Sequence, residues 1–185
     1  MNTILSFQDL QYVFLLSVPL TVAGIIHMIA VKLDILSYLK KPIHQSWFGL
    51  NKTWRGFFVM PLATLPGVYL ASFLENMLDF QDQLFRSAPV LLVALVLGLA
   101  YCLAELPNSF IKRKLGIKEG QTSDHYKWFF IILDQADSAI GCAIAYMIYL
   151  SVSLKIVIFT IIFGTLLHLL INRILYQLKL RKNPF

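Results

Sequence analysis

Asp134 and Asp137 stand three residues apart inside the apolar run Trp128–Leu150. On a helix this spacing puts both carboxylates on one face, and Ser138 and Gly141 extend that face. A carboxylate at the centre of a membrane-spanning helix costs roughly 2.5–3.5 kcal/mol on insertion scales, whereas each apolar residue returns only about 0.3–0.6. Such a pair is ordinarily kept for a polar cavity, an ion or a substrate. The plainer alternative is a helix–helix hydrogen bond with one aspartate protonated. Carboxylates without thiolates or a tight histidine cluster favour a hard cation such as Mg²⁺. Lys52 and Arg55, and Lys112 and Arg113, add the complement to a phosphate, a point charge from lysine and a planar fork from arginine. Metal ions and basic side chains around phosphates are the general recipe for phosphoryl or nucleotidyl transfer. Anchoring to anionic lipid headgroups is the competing use of basic residues, and it is preferred here for Lys40, Lys41, Lys179, Arg181 and Lys182.

The elements that must position these residues are membrane-spanning helices. Of 185 residues, 58% are hydrophobic and only 14% charged, outside the range of soluble domains. The fold class is therefore all-α and integral to the membrane, with one domain over residues 1–185. Spans are expected at Tyr12–Val31, Gly56–Leu74, Pro89–Leu106, Trp128–Leu150 and Leu154–Ile171. No cleavable signal peptide is expected, since the first ten residues carry no Lys or Arg. Cys102 and Cys142 fall in apolar runs and read as packing residues. The loops after the first and third spans and the C-terminal tail hold 14 of the 16 basic residues. The positive-inside rule makes that side cytoplasmic, with the N-terminus outside and the C-terminus inside, as an odd number of spans requires.

This topology gathers the polar chemistry in one leaflet. Asp134 lies about 9 Å in from the cytoplasmic start of its span. Glu105 lies at the cytoplasmic end of the third span, and His168 and Asn172 share a face near that end of the fifth. Scattered structural contacts would not need such clustering. Pro107, within Glu105-Leu106-Pro107-Asn108-Ser109, is expected either to break its helix and free a carbonyl or to mark the helix end at the interface. Trp47 and Trp54 read as interfacial belt residues.

The sequence resembles CDP-archaeol synthases, the archaeal-type branch related to phosphatidate cytidylyltransferases. The resemblance rests on Asn51-Lys52-Thr53-Trp54-Arg55-Gly56, on Glu105 to Arg113 with Leu115-Gly116, on Leu133 to Ser138 with Gly141, and on His168 to Arg181. A Ser-x-x-Lys-Arg-x-x-Gly followed by Asp-x-x-Asp-Ser, both at cytoplasmic membrane edges, is its most specific part. Bacterial phosphatidate enzymes commonly carry His-Gly-Gly before the acids and Arg between them. Here Phe129-Phe130-Ile131 and Gln135 stand in those places, which favours the archaeal-type branch. The resemblance implies transfer of CMP from CTP to a membrane lipid phosphate, either a di-ether glycerol phosphate or a phosphatidate-like lipid, giving a CDP-lipid and pyrophosphate with Mg²⁺. It implies that Asp134 and Asp137 are metal ligands and that Lys112 and Arg113 bind phosphate. Asn51, Lys52 and Arg55 fall on the nucleotide side, and Glu105, Asn108 and Ser109 line the same pocket. The expected partners are CTP, the lipid phosphate and the cytoplasmic membrane bilayer, with no nucleic acid; a homo-oligomer is left open. His168 is expected to make a structural hydrogen bond.

Two other classes compete. A small transporter with an acidic relay at Asp134 and Asp137 would use the acids but leaves the paired basic motifs without a role. It would also want polar residues onward to the outer leaflet, and Ala143–Leu150 has almost none beyond tyrosines. A non-catalytic scaffold predicts that Asp137→Asn leaves function intact.

Overall fold

The computed structural model describes residues 5–119, 121 and 126–180. Arg181 and Lys182, counted with the basic tail, lie outside the described residues, as do residues 1–4. The elements are α1 (Phe7–Lys32), a single 3₁₀ turn (Ser37–Leu39), the short α2 (Gln45–Phe48), α3 (Trp54–Met77), α4 (Val90–Lys114), α5 (Lys127–Tyr149) and α6 (Leu154–Gln177). Five of these helices are long and apolar enough to cross a membrane, at the expected places. Among the described residues there is no strand beyond one isolated bridge between Pro42 and Thr53.

The long helices pack in a ring: α1 on α3, α3 on α4, α4 on α5, α5 on α6, and α6 back on α1. Between lipid-exposed helices little hydrophobic force remains, so close backbone approach matters. Gly98 and Gly141 supply it. A Cβ on Gly98 would meet Pro61 Cα of α3 at 2.4 Å, and one on Gly141 would meet Ala104 Cβ of α4 at 2.4 Å. The first helix starts with a capping box in which the Asp9 N–H donates to Ser6 Oγ at 3.1 Å and the Ser6 N–H to Asp9 Oδ2 at 2.7 Å. Lys155 Nζ then bonds Asp9 Oδ2 at 2.6 Å and ties the start of α6 to the start of α1.

One end of the ring is packed shut. Tyr146 donates its hydroxyl to the Leu16 carbonyl at 2.8 Å, and its ring meets Phe85 edge-on at 6.0 Å. The buried Glu75 carboxylate accepts the N–H groups of Phe85 and Arg86, which fixes the α3–α4 connection over that end. The other end stays open, and it is where the polar residues lie.

The boundaries differ from expectation in one consequential place. Pro107 does not break α4, which runs through it to Lys114. A helix-interior proline costs one backbone bond, and membrane helices tolerate this where neighbours hold the chain. Here α4 is held by α3 on one side and α5 on the other. Lys112 and Arg113, expected in a loop, therefore sit in the last helical turn. Pro61 and Pro66 are likewise accommodated within α3. Cys102 and Cys142 are buried and unbridged.

Candidate functional site

Because α4 continues past Pro107, Glu105, Asn108 and Lys112 form one stripe at three- and four-residue spacing. The stripe faces the start of α5. Asn108 Nδ2 donates to Asp134 Oδ1 at 2.7 Å and to Asp137 Oδ2 at 3.0 Å, bridging the two acids. Lys112 Nζ sits 2.5 Å from both oxygens of Asp134 and lies 5.5 Å over the Phe130 ring. The other Asp137 oxygen accepts the Ser138 N–H at 2.7 Å. Thus α4 supplies the donors and α5 the carboxylates, and the close contact at Gly141 holds the two helices in register.

The connection between α1 and α3 closes the site from the opposite side. Lys52 Nζ pairs with Glu105 Oε2. Burial alone would lower the Lys52 pKa, but the adjacent Glu105 carboxylate outweighs it and holds the ammonium above its ordinary value. Arg55, in the first turn of α3, is buried and donates to Asp34 Oδ1 at 2.8 Å. Past the end of α4, Glu119 Oε2 lies 3.6 Å from Arg113 Nη1.

These residues surround one cavity of about 1180 Å³. Every site candidate read from the sequence lines it: Asn51, Lys52, Arg55, Glu105, Asn108, Ser109, Lys112, Arg113, Asp134 and Asp137. His168 and Asn172 line it too, and both reach Gln135 between the two acids. His168 Nδ1 is 3.2 Å from the Gln135 carbonyl, and Asn172 Nδ2 donates to Gln135 Oε1. His168 thus has the structural contact expected of it. Trp47, an expected belt residue, packs against His44 and Phe110 at the rim.

Sequence reasoning missed several members. His27 of α1 lines the cavity, and an ionisable residue inside a spanning run was a signal for it. Asp34 and Glu119 pair with the site arginines but sit in loops, where acids are ordinarily solvated. Gln135, which reads as a spacer, is 0% exposed and anchors α6.

The donor set suits a hard cation. Among the described residues no group of three or more His, Cys, Asp and Glu side chains gathers. Asp134 and Asp137 supply the hard oxygen donors and are bridged by Asn108 Nδ2, while Asn108 Oδ1, on the other side of that amide, is buried without a hydrogen-bond partner among the described residues. Two carboxylates are what Mg²⁺ usually takes from a protein, with the remaining positions left to water and substrate phosphates.

Residues 43–185 match the family model described as CarS-like CDP-archaeol synthase. A CDP-archaeol synthase from Pyrobaculum islandicum is 30% identical over 181 residues, 96% of this chain and 99% of that protein. The chain belongs to the CDP-archaeol synthase family. Other members named CDP-archaeol synthase are similar to it: one from Sulfurisphaera tokodaii is 29% identical over 74% of this chain and 72% of its own length. One from Methanoculleus marisnigri is 27% identical over 75% of this chain and 81% of its own. No solved structure matches the chain. Family membership makes the protein a multi-pass membrane enzyme of the CTP:lipid-phosphate cytidylyltransferase class. The transporter reading is not favoured.

Proposed function

We propose that this enzyme transfers CMP from CTP to an unsaturated di-ether glycerol phosphate in the cytoplasmic membrane, releasing pyrophosphate. The observation that carries this reading is the convergence of the acids and both basic motifs on one cavity at the open end of the bundle. The open end faces the cytoplasm, because the basic connections border it. A phosphatidate-like lipid is the second acceptor, and both share the phosphate monoester that the site must recognise.

In the proposed reaction an oxygen of the lipid phosphate attacks the α-phosphorus of CTP in line. The bond to the oxygen bridging the α- and β-phosphates breaks, and pyrophosphate leaves with the electron pair. A phosphate monoester is already an anionic nucleophile near neutral pH, so no strong base is required. Catalysis then falls to positioning and charge neutralisation. Asp134 and Asp137, bridged by Asn108 Nδ2, would hold Mg²⁺, which supplies neutralisation of the phosphate oxygens. Lys112 and Arg113 bind phosphate. Asn51, Lys52 and Arg55 hold the nucleotide side, and Glu105 keeps Lys52 in place through their ion pair. Ser109 offers a hydroxyl to the same pocket. The apolar wall formed by Leu20, Gly24 and Met28 of α1 and Gly164, Ile171 and Leu175 of α6 suits the lipid chains.

The test is product formation by mass spectrometry. Purified enzyme receives CTP, Mg²⁺ and a panel containing the di-ether glycerol phosphate and phosphatidate. A CDP-lipid and pyrophosphate in equal amounts, abolished by chelation and restored by Mg²⁺, are expected, with the di-ether turned over faster. No product from any lipid, together with no CTP binding, would overturn the reading.

A further inference from the structure

The four site cations differ in how well they are satisfied. Lys52 and Lys112 make direct hydrogen bonds to Glu105 and Asp134, and Arg55 makes one to Asp34. Arg113 does not. Its side chain is only 14% exposed, yet its Nε and Nη1 atoms are buried without a hydrogen-bond partner among the described residues. The nearest carboxylate, Glu119, stops at 3.6 Å from Nη1, near enough for ion pairing and too far for a hydrogen bond. Glu119 is meanwhile held from the other side, where its Oε1 accepts the Leu50 N–H at 3.0 Å.

The backbone makes room for this arrangement. Gly49 has φ +84°, and a Cβ there would lie 2.8 Å from Glu119 Cγ and Oε1 and 3.1 Å from Arg113 Nη1. The Leu50 N–H and the Arg113 guanidinium therefore converge on one anionic group at the cavity mouth, and both Arg113 and Glu119 line the cavity. Hydrogen bonds from its own backbone N–H and that of Leu50, with Arg113 nearby, hold the Glu119 carboxyl below its ordinary pKa. It is an anion at neutral pH. A phosphate group is the better partner for this position. It carries more charge and can take the guanidinium fork in two hydrogen bonds, which the carboxylate does not.

We propose that Glu119 is a built-in counter-anion that occupies Arg113 in the empty enzyme and yields it to the triphosphate, so that this carboxylate sets the affinity for CTP. The inference rests on the reading above that Arg113 binds phosphate. An anion competing with the substrate for one cation raises the substrate's dissociation constant. Removing its charge should therefore tighten binding, and an exposed-rim charge at this distance is worth roughly a 1.5-fold to fivefold change.

The experiment measures the dissociation constant of CTP with Mg²⁺, without lipid, by calorimetry on the full-length enzyme in detergent. Wild type is compared with Glu119→Gln, Glu119→Asp, Arg113→Gln and the double variant. The expected result is tighter binding for Glu119→Gln and weaker binding for Arg113→Gln. Glu119→Asp should stay near wild type, and Glu119→Gln should bring no gain when Arg113 is already replaced. Unchanged or weaker binding by Glu119→Gln, with Arg113→Gln still impaired, would overturn the counter-anion role alone. Unchanged binding by Arg113→Gln would overturn the assignment of Arg113 to phosphate and this proposal with it.

Discussion

Replacing Asp137 by asparagine separates the chemistry of the site from its folding. The Asp137 carboxylate is buried and takes one hydrogen bond from Asn108 Nδ2 at 3.0 Å and one from the Ser138 N–H at 2.7 Å. An asparagine of the same shape keeps one acceptor oxygen and loses the other. The loss of one hydrogen bond to a charged group costs about 1.5–3 kcal/mol. Against it stands the removal of a buried negative charge that shares Asn108 with Asp134, a relief of similar size. The two nearly cancel, so stability should change by no more than about 1–2 kcal/mol, and the melting temperature in detergent by about 8 °C or less. Activity has no such compensation. If the carboxylate acts on charge at the reacting phosphates, its loss should lower kcat by about 10²–10⁴, equivalent to about 2.7–5.4 kcal/mol. The assay is CDP-lipid formation at saturating CTP, with thermal unfolding run on the same preparation. A variant that keeps more than about a tenth of wild-type kcat would refute the reasoning. So would inactivity accompanied by a melting temperature lowered by well over about 10 °C, which would mean that the acid holds the fold.

Lys112→Met removes the ammonium lying 2.5 Å from both Asp134 oxygens. It should lower CDP-lipid formation by about 10²-fold, and Lys112→Arg should recover part of that by restoring charge. Gly141→Ala places a methyl group 2.4 Å from Ala104 Cβ and 2.6 Å from the Ala100 carbonyl oxygen. It should cost about 1–3 kcal/mol by thermal unfolding and also reduce activity, because α5 must move away from Asn108. Lys52 is drawn down by burial but held above its ordinary pKa of 10.5 by Glu105. The stabilisation from that raised value is complete below 10.5 and lost only as pH rises through the folded value. The deficit in melting temperature of Lys52→Met should therefore stay constant between about pH 6 and 9, and a deficit that shrinks within that window would contradict it.

The spans were legible because each holds an apolar run long enough to cross a bilayer, and the helices fall where those runs lie. The ends were less legible for one physical reason. Hydropathy reads a helix as ending where polar residues begin, and the apolar run of the third span stops at Leu106. In the fold, Glu105, Asn108 and Lys112 are polar because they face a cavity, and the helix carries them inward to Lys114. The site candidates were legible by residue type, since acids in a spanning helix and basic residues beside them restrict the chemistry strongly. Their partners were not. Asp34 and Glu119 look like ordinary loop acids until the fold brings them to Arg55 and Arg113. Gln135 shows no signal of its own, because its role depends on Asn172, 37 residues further along.

The pairing of every site cation with a carboxylate follows from where the site lies. In a low-dielectric bundle an unpaired lysine or aspartate is expensive, and removing one partner of a buried pair costs about 3–5 kcal/mol. Lys52, Arg55, Lys112 and Arg113 therefore each keep a carboxylate partner, and substrate cannot simply be added beside them. Partners must be exchanged. When Lys112 turns from Asp134 to a phosphate oxygen, as the proposed reaction requires, Asp134 needs a replacement positive charge. This is the electrostatic reason that a divalent cation suits the pair Asp134 and Asp137. The same logic distinguishes the mouth from the interior. Lys112 and Asp134 lie in contact, whereas Arg113 and Glu119 are loosely paired at 3.6 Å and can part first. Binding should accordingly begin at Arg113 and proceed inward to Lys112. Arg113→Gln should then slow CTP association, while Lys112→Met should chiefly speed its release. Stopped-flow measurement of the two rate constants distinguishes them, and the opposite assignment of effects would refute this order.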